Sequence, residues 1–111
     1  MNQMMVQAMQ AMQEMQKRVG EAQEKLKTMA VTETGGNGIV KITVSGELKV
    51  TTLELDDVAR KSEGKDVLED LIISTTNKAL EAATVMKDRE MKAATEGLIP
   101  NIPGLDMPFG F

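Results

Sequence analysis

The chain of 111 residues has no cysteine, histidine, tryptophan or tyrosine, and its two phenylalanines stand among the last three positions. Without cysteine there is no disulfide framework, zinc ribbon, thiol nucleophile or iron–sulfur cluster. Without histidine there is no Ser–His–Asp triad, no HExxH site and no imidazole that switches charge near neutrality. No apolar run approaches the roughly 20 residues that a membrane-spanning helix needs. A basic n-region leading into an apolar h-region is also missing, so the expectation is a cytoplasmic protein with no membrane partner. Cations are the scarcer charge, 13 against 17 acidic residues for a net −4. That balance weighs against a general polyanion binder, whose footprint is basic. Its distribution is uneven: residues 1–29 carry four cations and three anions and are the least acidic stretch.

With aromatics nearly absent, Leu, Ile, Val, Met and Ala must build the core. Methionine is abundant, and six of the ten fall within the first fifteen residues. Met1, Met5, Ala8, Met12, Met15, Val19, Ala22, Leu26 and Met29 alternate at spacings of four and three, a heptad seam. A single helix of that length runs roughly 40 Å at 1.5 Å per residue. A strict 3.5-residue spacing favours a narrow coiled-coil seam over a broad globular face. Gly20 lies off the seam and is its weak point in helix propensity.

The segment AVTETGGNGIVKITVSGELKVTTLELDD reads as three short antiparallel strands, punctuated by Gly35–Gly38 and by a turn at Ser45–Gly46–Glu47. Opposed residues share a face, so pairing Val44 with Leu48 and Ile42 with Val50 is the register expected. It gathers Val40, Ile42, Val44, Leu48 and Val50 on a buried face, and Lys41, Thr43, Lys49 and Thr51 on the other. Toward the base of the hairpin that second face turns apolar at Ile39, Leu53 and Leu55. After a polar link, a second helix is expected from near Asp66, with Asp66 and Glu69 as a capping box. Its stripe is Leu68, Leu71, Ile72, Thr75, Ala79, Ala82 and Met86, fading by about Thr95. All three prolines follow, in GLIPNIPGLDMPFGF, which cannot continue a helix.

The fold class is therefore α+β: a long N-terminal helix, a three-stranded antiparallel sheet, a second long helix and an extended tail. One dimerising domain covers residues 1–96, and a Pro/Gly-rich tail covers 97–111. The bare edge of a three-stranded sheet and the unmatched seam of the first helix both point to a homodimer. Met5, Met12, Met15, Val19 and Leu26 are the expected dimer seam. Met4 and Met9 widen the stripe, and methionine also serves adaptable partner surfaces, so a groove for another protein stays open as an alternative.

The run AMQEMQKRVGEAQEKLKTMAVTETGGNGIVKITVSGELKVTTLELD resembles the bacterial nucleoid-associated YbaB/EbfC family. The resemblance lies in a Met/Gln-rich run at Met12–Lys17, a V-T-x-x-x-G-G-x-G-x-V-K-V-T-like stretch at Val31–Thr43, and an acidic-hydrophobic-acidic strand end at Glu54–Asp56. DVLEDLI and the terminal PGLDMPF are similar to the family's second helix and tail. Where some members carry an arginine pair, this chain has Thr51 and Thr52. The resemblance implies a homodimer of the cytoplasm and nucleoid that binds double-stranded DNA. Paired sheets would form a base, with long helices projecting like tweezers around the duplex. It also implies roles in nucleoid organisation and gene regulation.

Six cations are the candidate DNA contacts: Arg18, Lys25, Lys41, Lys49, Arg89 and Lys92. Arg18 and Lys25 share a flank of the first helix, although Glu14 and Glu21 precede them by four residues, the favoured orientation for helix pairs. Lys17 and Lys27 have acidic neighbours too, in Glu21 and Glu24. Arg89 has no acidic residue three or four away, and Lys92 lies beside it. Lys41 and Lys49 interleave with Thr43 and Thr51, residue types that can contact phosphate. No aromatic platform or helix-turn-helix signature is present, so backbone and shape contacts are expected to dominate. GGNG fits neither GxGxxG nor GxxxxGK[ST] and reads as a turn. Asp56–Asp57 end a strand, and Asp66, Glu69 and Asp70 suit a helix N-terminus. With no nucleophile beside a base, neither catalysis nor a metal, cofactor or small-molecule substrate is expected. The rival class is a non-enzymatic module that grips another protein with its Met-rich helices.

Overall fold

The structure, a computed structural model, describes residues 2–57, 61 and 64–96. The expected Met1 seam position and the tail over 97–111 lie outside them. Helix α1 spans Gln3–Leu26, strands β1, β2 and β3 span Ala30–Gly35, Val40–Ser45 and Val50–Leu55, and helix α2 spans Lys65–Thr95. The expected order of helix, sheet and helix is the one observed.

α1 starts where the Asn2 side-chain oxygen accepts from the Met4 amide at 3.1 Å, which satisfies an otherwise orphaned donor of the first turn. It runs unbroken through Gly20 and closes at a turn in which the Thr28 amide donates to the Lys25 carbonyl at 3.0 Å. The three strands lie in sequence order, all antiparallel. β1 and β2 are joined through Gly36, Asn37 and Gly38, whose φ angles of 60°, 57° and 93° explain the Gly-Asn-Gly choice there.

The second hairpin differs from the expected register. Val44 pairs with Val50, Thr43 with Thr52, Ile42 with Leu53, Lys41 with Glu54 and Val40 with Leu55, so Thr51 is an extra residue on β3. The connection is longer as well. The Ser45 amide donates to the Lys49 carbonyl and the Leu48 amide to the Ser45 carbonyl, both at 2.9 Å. Leu48 takes a left-handed φ of 62°, which turns its side chain back onto the core instead of placing it in the strand. Val40, Ile42 and Val44 are buried as expected, but Val50 is 48% exposed. Leu53 and Leu55 sit opposite Ile42 and Val40, on the helix-facing side of the sheet rather than the outer one.

α2 packs mainly across β1 and β2. Ala79 and Ala83 are fully buried against Val40, Ile42 and Val44, with Leu71, Ile72 and Leu80 around them. Each valine or isoleucine buried there contributes roughly 1.5–3 kcal/mol. The expected capping box does not form. Gly64 is the N-cap and makes no side-chain cap bond, and Asp66 lies inside the first turn.

A second cluster joins the helices: Ala22, Leu26 and Met91 are buried, with Val19, Met29 and Ala94 against them. Gly46, at the hairpin tip, fits directly beneath the Leu26 carbonyl, and its amide donates to the Met29 carbonyl at 2.9 Å. α1 therefore leaves the sheet at that tip. α2 reaches the same point after crossing the sheet and runs beside α1 in the opposite sense, with Lys25 on Glu90 and Ala22 on Met91. It ends at Thr95, about one turn past Met91. This divides the heptad seam. Val19, Ala22 and Leu26 are closed within the chain by α2, which corrects the expectation that no intrachain element matches them. Met4, Met5, Met9 and Met12 stay more than half exposed beyond the end of α2.

Candidate nucleic-acid interface

The six candidate cations separate into two groups. Arg18, Lys25, Arg89 and Lys92 lie where the last turns of α1 and α2 run side by side. Lys41 and Lys49 lie on the sheet and at its hairpin connection.

In the first group, Arg18 Nε donates to Glu14 Oε1 at 3.2 Å, the local pair its spacing allows. Lys25 does not use Glu21. Its Nζ donates across to Glu90 Oε2 on α2 at 3.0 Å, stitching the helices together. Both are solvent-accessible pairs of the kind that contribute about 0.2–1 kcal/mol, so a phosphate can displace the carboxylate at little cost. Arg89 and Lys92 are exposed, three residues apart on one face of α2, and neither forms an ion pair among the described residues. These two are the cations most available to an outside anion. Lys17, on α1, is also exposed and without an ion pair among the described residues. The Glu21 partner expected for Lys17 from helical spacing is not engaged. Lys27 Nζ donates to Glu24 at 2.9 Å, and that hydrogen bond raises the Lys27 pKa above the ordinary lysine value.

In the second group the shifted register matters. The expected pairing placed threonines around Lys41, whereas the observed one sets Glu54 directly opposite, with Lys41 Nζ 4.0 Å from Glu54 Oε2. Lys49 precedes β3 and its exposed side chain has no ion pair among the described residues. The outer sheet face is otherwise threonine: Thr32 and Thr43 hydroxyls meet at 2.9 Å, and Thr51 Oγ1 donates to the Thr43 carbonyl at 3.3 Å. The Lys25–Glu90 pair therefore sets Lys25 next to Arg89 on the paired helices, whereas Lys41 lies on the outer sheet face opposite Glu54.

An apolar surface, expected on the outer face, lies on the helix-facing side. β3 is an edge strand, and its helix-facing residues Val50 and Leu53 are about half exposed. On α2 itself, Asn77, Leu80, Glu81, Thr84 and Val85 line an open groove of about 520 Å³. Among the described residues no group of acidic side chains is placed to hold a metal ion, and no helix is long and apolar enough to cross a membrane.

Residues 1–98 match the profile of the YbaB/EbfC DNA-binding family. The chain belongs to that family. A protein of Flavobacterium johnsoniae named as a nucleoid-associated protein is 35% identical over 98 residues, 88% of this chain and 91% of its own length. A relative of the same name from Anaeromyxobacter dehalogenans is 40% identical over 91 residues, covering 81% and 88%. An uncharacterized protein of Helicobacter pylori has a crystal structure that superposes with a TM-score of 0.60 at 23% identity, covering 68% of this chain and 78% of that one. That likeness is one of fold.

Proposed function

We propose that this YbaB/EbfC chain is a nucleoid-associated protein that binds double-stranded DNA as a homodimer. It alters the conformation of the duplex without chemistry, and so takes part in nucleoid organisation and gene regulation. Membership of a DNA-binding family across residues 1–98 carries this reading. The geometry supports it in a particular way: Arg89 and Lys92 supply cations without a carboxylate partner among the described residues, and the exposed Arg18 and Lys25 each hold one carboxylate that a phosphate can displace. Such contacts go to phosphates, so affinity is set by charge and duplex shape more than by base sequence.

The homodimer rests on β3. An edge strand presents a row of unpaired backbone groups, and here the strand also leaves Val50 and Leu53 bare beside a half-covered helix. A second copy meeting this edge would bury both and bring two α1–α2 arms onto one base. Charge reversal tests the DNA surface. Arg89→Glu with Lys92→Glu removes up to about four phosphate contacts per dimer, which lowers the salt slope by about 3.6 and weakens binding, while the dimer mass stays the same. Unchanged affinity and slope would exclude both residues from the interface. The rival reading, a module that holds another protein, is favoured by the net charge of −4. It would be upheld if the native dimer fails to bind duplex DNA at low salt but captures a protein through α1.

A further inference from the structure

Oxidants that transfer an oxygen atom find few places to react on this chain. Cysteine, histidine, tryptophan and tyrosine are absent, so the thioethers of ten methionines are its oxidisable side chains. Oxygen transfer needs the sulfur lone pair to meet the oxidant, so burial protects a methionine. The exposure of these thioethers is uneven. Met4, Met5, Met9 and Met12, within nine residues of α1, are 52% to 74% exposed, whereas Met91 is 2% exposed. Met15, Met29 and Met86 are partly buried.

The same stretch is the least supported part of its helix. Every residue from Asn2 to Gln10 is exposed, so these turns lack the packing from which most helical stability in proteins derives. Three things hold them. Met, Gln and Ala are strong helix formers, and Asn2 caps the Met4 amide. Apolar side chains also recur at helical spacing: Met5–Met9 and Ala8–Met12 are four apart, Met5–Ala8 and Met9–Met12 three. Gln3 to Gln13 carry no charged side chain, so ion pairs add nothing within them. We propose that Met4, Met5, Met9 and Met12 form a reversible oxidation site, at which a hydroperoxide turns thioethers into sulfoxides and melts the end of α1. The sulfur lone pair attacks one peroxide oxygen, an S–O bond forms and the O–O bond breaks. With hydrogen peroxide, sulfur gives up two electrons and the second oxygen leaves as hydroxide. The proton of the transferred hydroxyl converts that hydroxide to water. The product is polar and chiral, which ends the apolar pairing along the helix. Its oxygen also competes for backbone N–H groups, as short polar side chains do. Methionine sulfoxide reductases reverse the step. The reach of α1 then depends on its oxidation state, since Gln3–Met12 adds about 15 Å of helix, whatever the arm binds.

Full-length protein treated with limiting hydrogen peroxide, then mapped by peptide mass spectrometry, tests the site. Met4, Met5, Met9 and Met12 are oxidised ahead of Met15, Met29 and Met86, and Met91 comes last. At that stage the far-ultraviolet helix signal falls by about a fifth, the share of the helical residues that lies in Gln3–Met12. Amide exchange accelerates over the same residues, while β2 and residues 19–26 of α1 stay protected. The variant Met4→Leu, Met5→Leu, Met9→Leu, Met12→Leu keeps this face apolar and its helix propensity high. It has no sulfur there, so the same dose leaves its helix signal unchanged, although Met1 and Met107 remain. Oxidation of the four as slow as that of Met91 would overturn the proposal, because it would show the face covered, as in a seam between chains. Four sulfoxides with an undiminished helix signal would overturn it too. So would a helix loss that persists after a methionine sulfoxide reductase has restored the thioethers.

Discussion

Met91 is the residue on which the attachment of α1 depends. It is 2% exposed and lies between Ala22 and Leu26 of α1, with Val19, Met29 and Ala94 around it. Met91→Ala deletes everything beyond Cβ, a change that costs about 2–5 kcal/mol in a packed core. Two of the lining residues are alanines, so the helices can close part of the void, which places the loss at the lower end, about 2–3 kcal/mol. That is a large share of the roughly 5–15 kcal/mol that stabilises a domain. The effect is also local in origin, because the sheet cluster of Val40, Ile42, Val44, Ala79 and Ala83 does not include Met91. Urea unfolding followed by circular dichroism at the helix band gives the total, and amide hydrogen exchange locates it. The expected result is faster exchange over residues 19–26 of α1 at low denaturant, with the β2 amides still protected. A loss under about 1 kcal/mol with α1 protection unchanged would refute the claim that this cluster holds the two helices together.

Gly20→Ala should stabilise the chain by about 0.5–1 kcal/mol, since a Cβ at that helical position meets nothing within 4 Å; thermal melting checks it. Gly46→Ala should destabilise by roughly 1–3 kcal/mol, because its Cβ would collide with the Leu26 carbonyl, a backbone group that cannot swing aside; the urea midpoint reads the loss. Leu53→Lys, at a position 49% exposed in the single chain, should leave the helical spectrum intact and reduce the mass by light scattering to that of a monomer. A persistent dimer would remove the β3 edge as the contact between copies.

The parts of the molecule that were legible in the sequence are those governed by local spacing. The 3.5-residue seam announced α1, the Gly-Asn-Gly turn and Val/Ile alternation announced the strands, and the Glu14–Arg18 and Glu24–Lys27 pairs follow from helical spacing. Long-range packing was not legible. Val50, Thr51, Thr52 and Leu53 are all good strand formers, so nothing in them marked Thr51 as the extra residue; the bulge accompanies Leu48 turning into the core through a left-handed backbone. That one shift reassigned the neighbour of Lys41 from Thr51 to Glu54. Lys25 and Glu90 are 65 positions apart, and only the antiparallel course of α2 along α1 brings them together. The same course explains why half of the heptad seam is satisfied within the chain.

The central claim is that an acidic protein holds duplex DNA through a small set of cations on its helical arms. The most direct measurement is the anisotropy of a labelled duplex titrated with the native protein across a salt series, with the mass of the protein followed in the same buffers. The expected result is a dimer whose log affinity falls linearly with log salt, at about 0.9 per phosphate contacted. A dimer that stays intact yet leaves the duplex free at the lowest salt would contradict it.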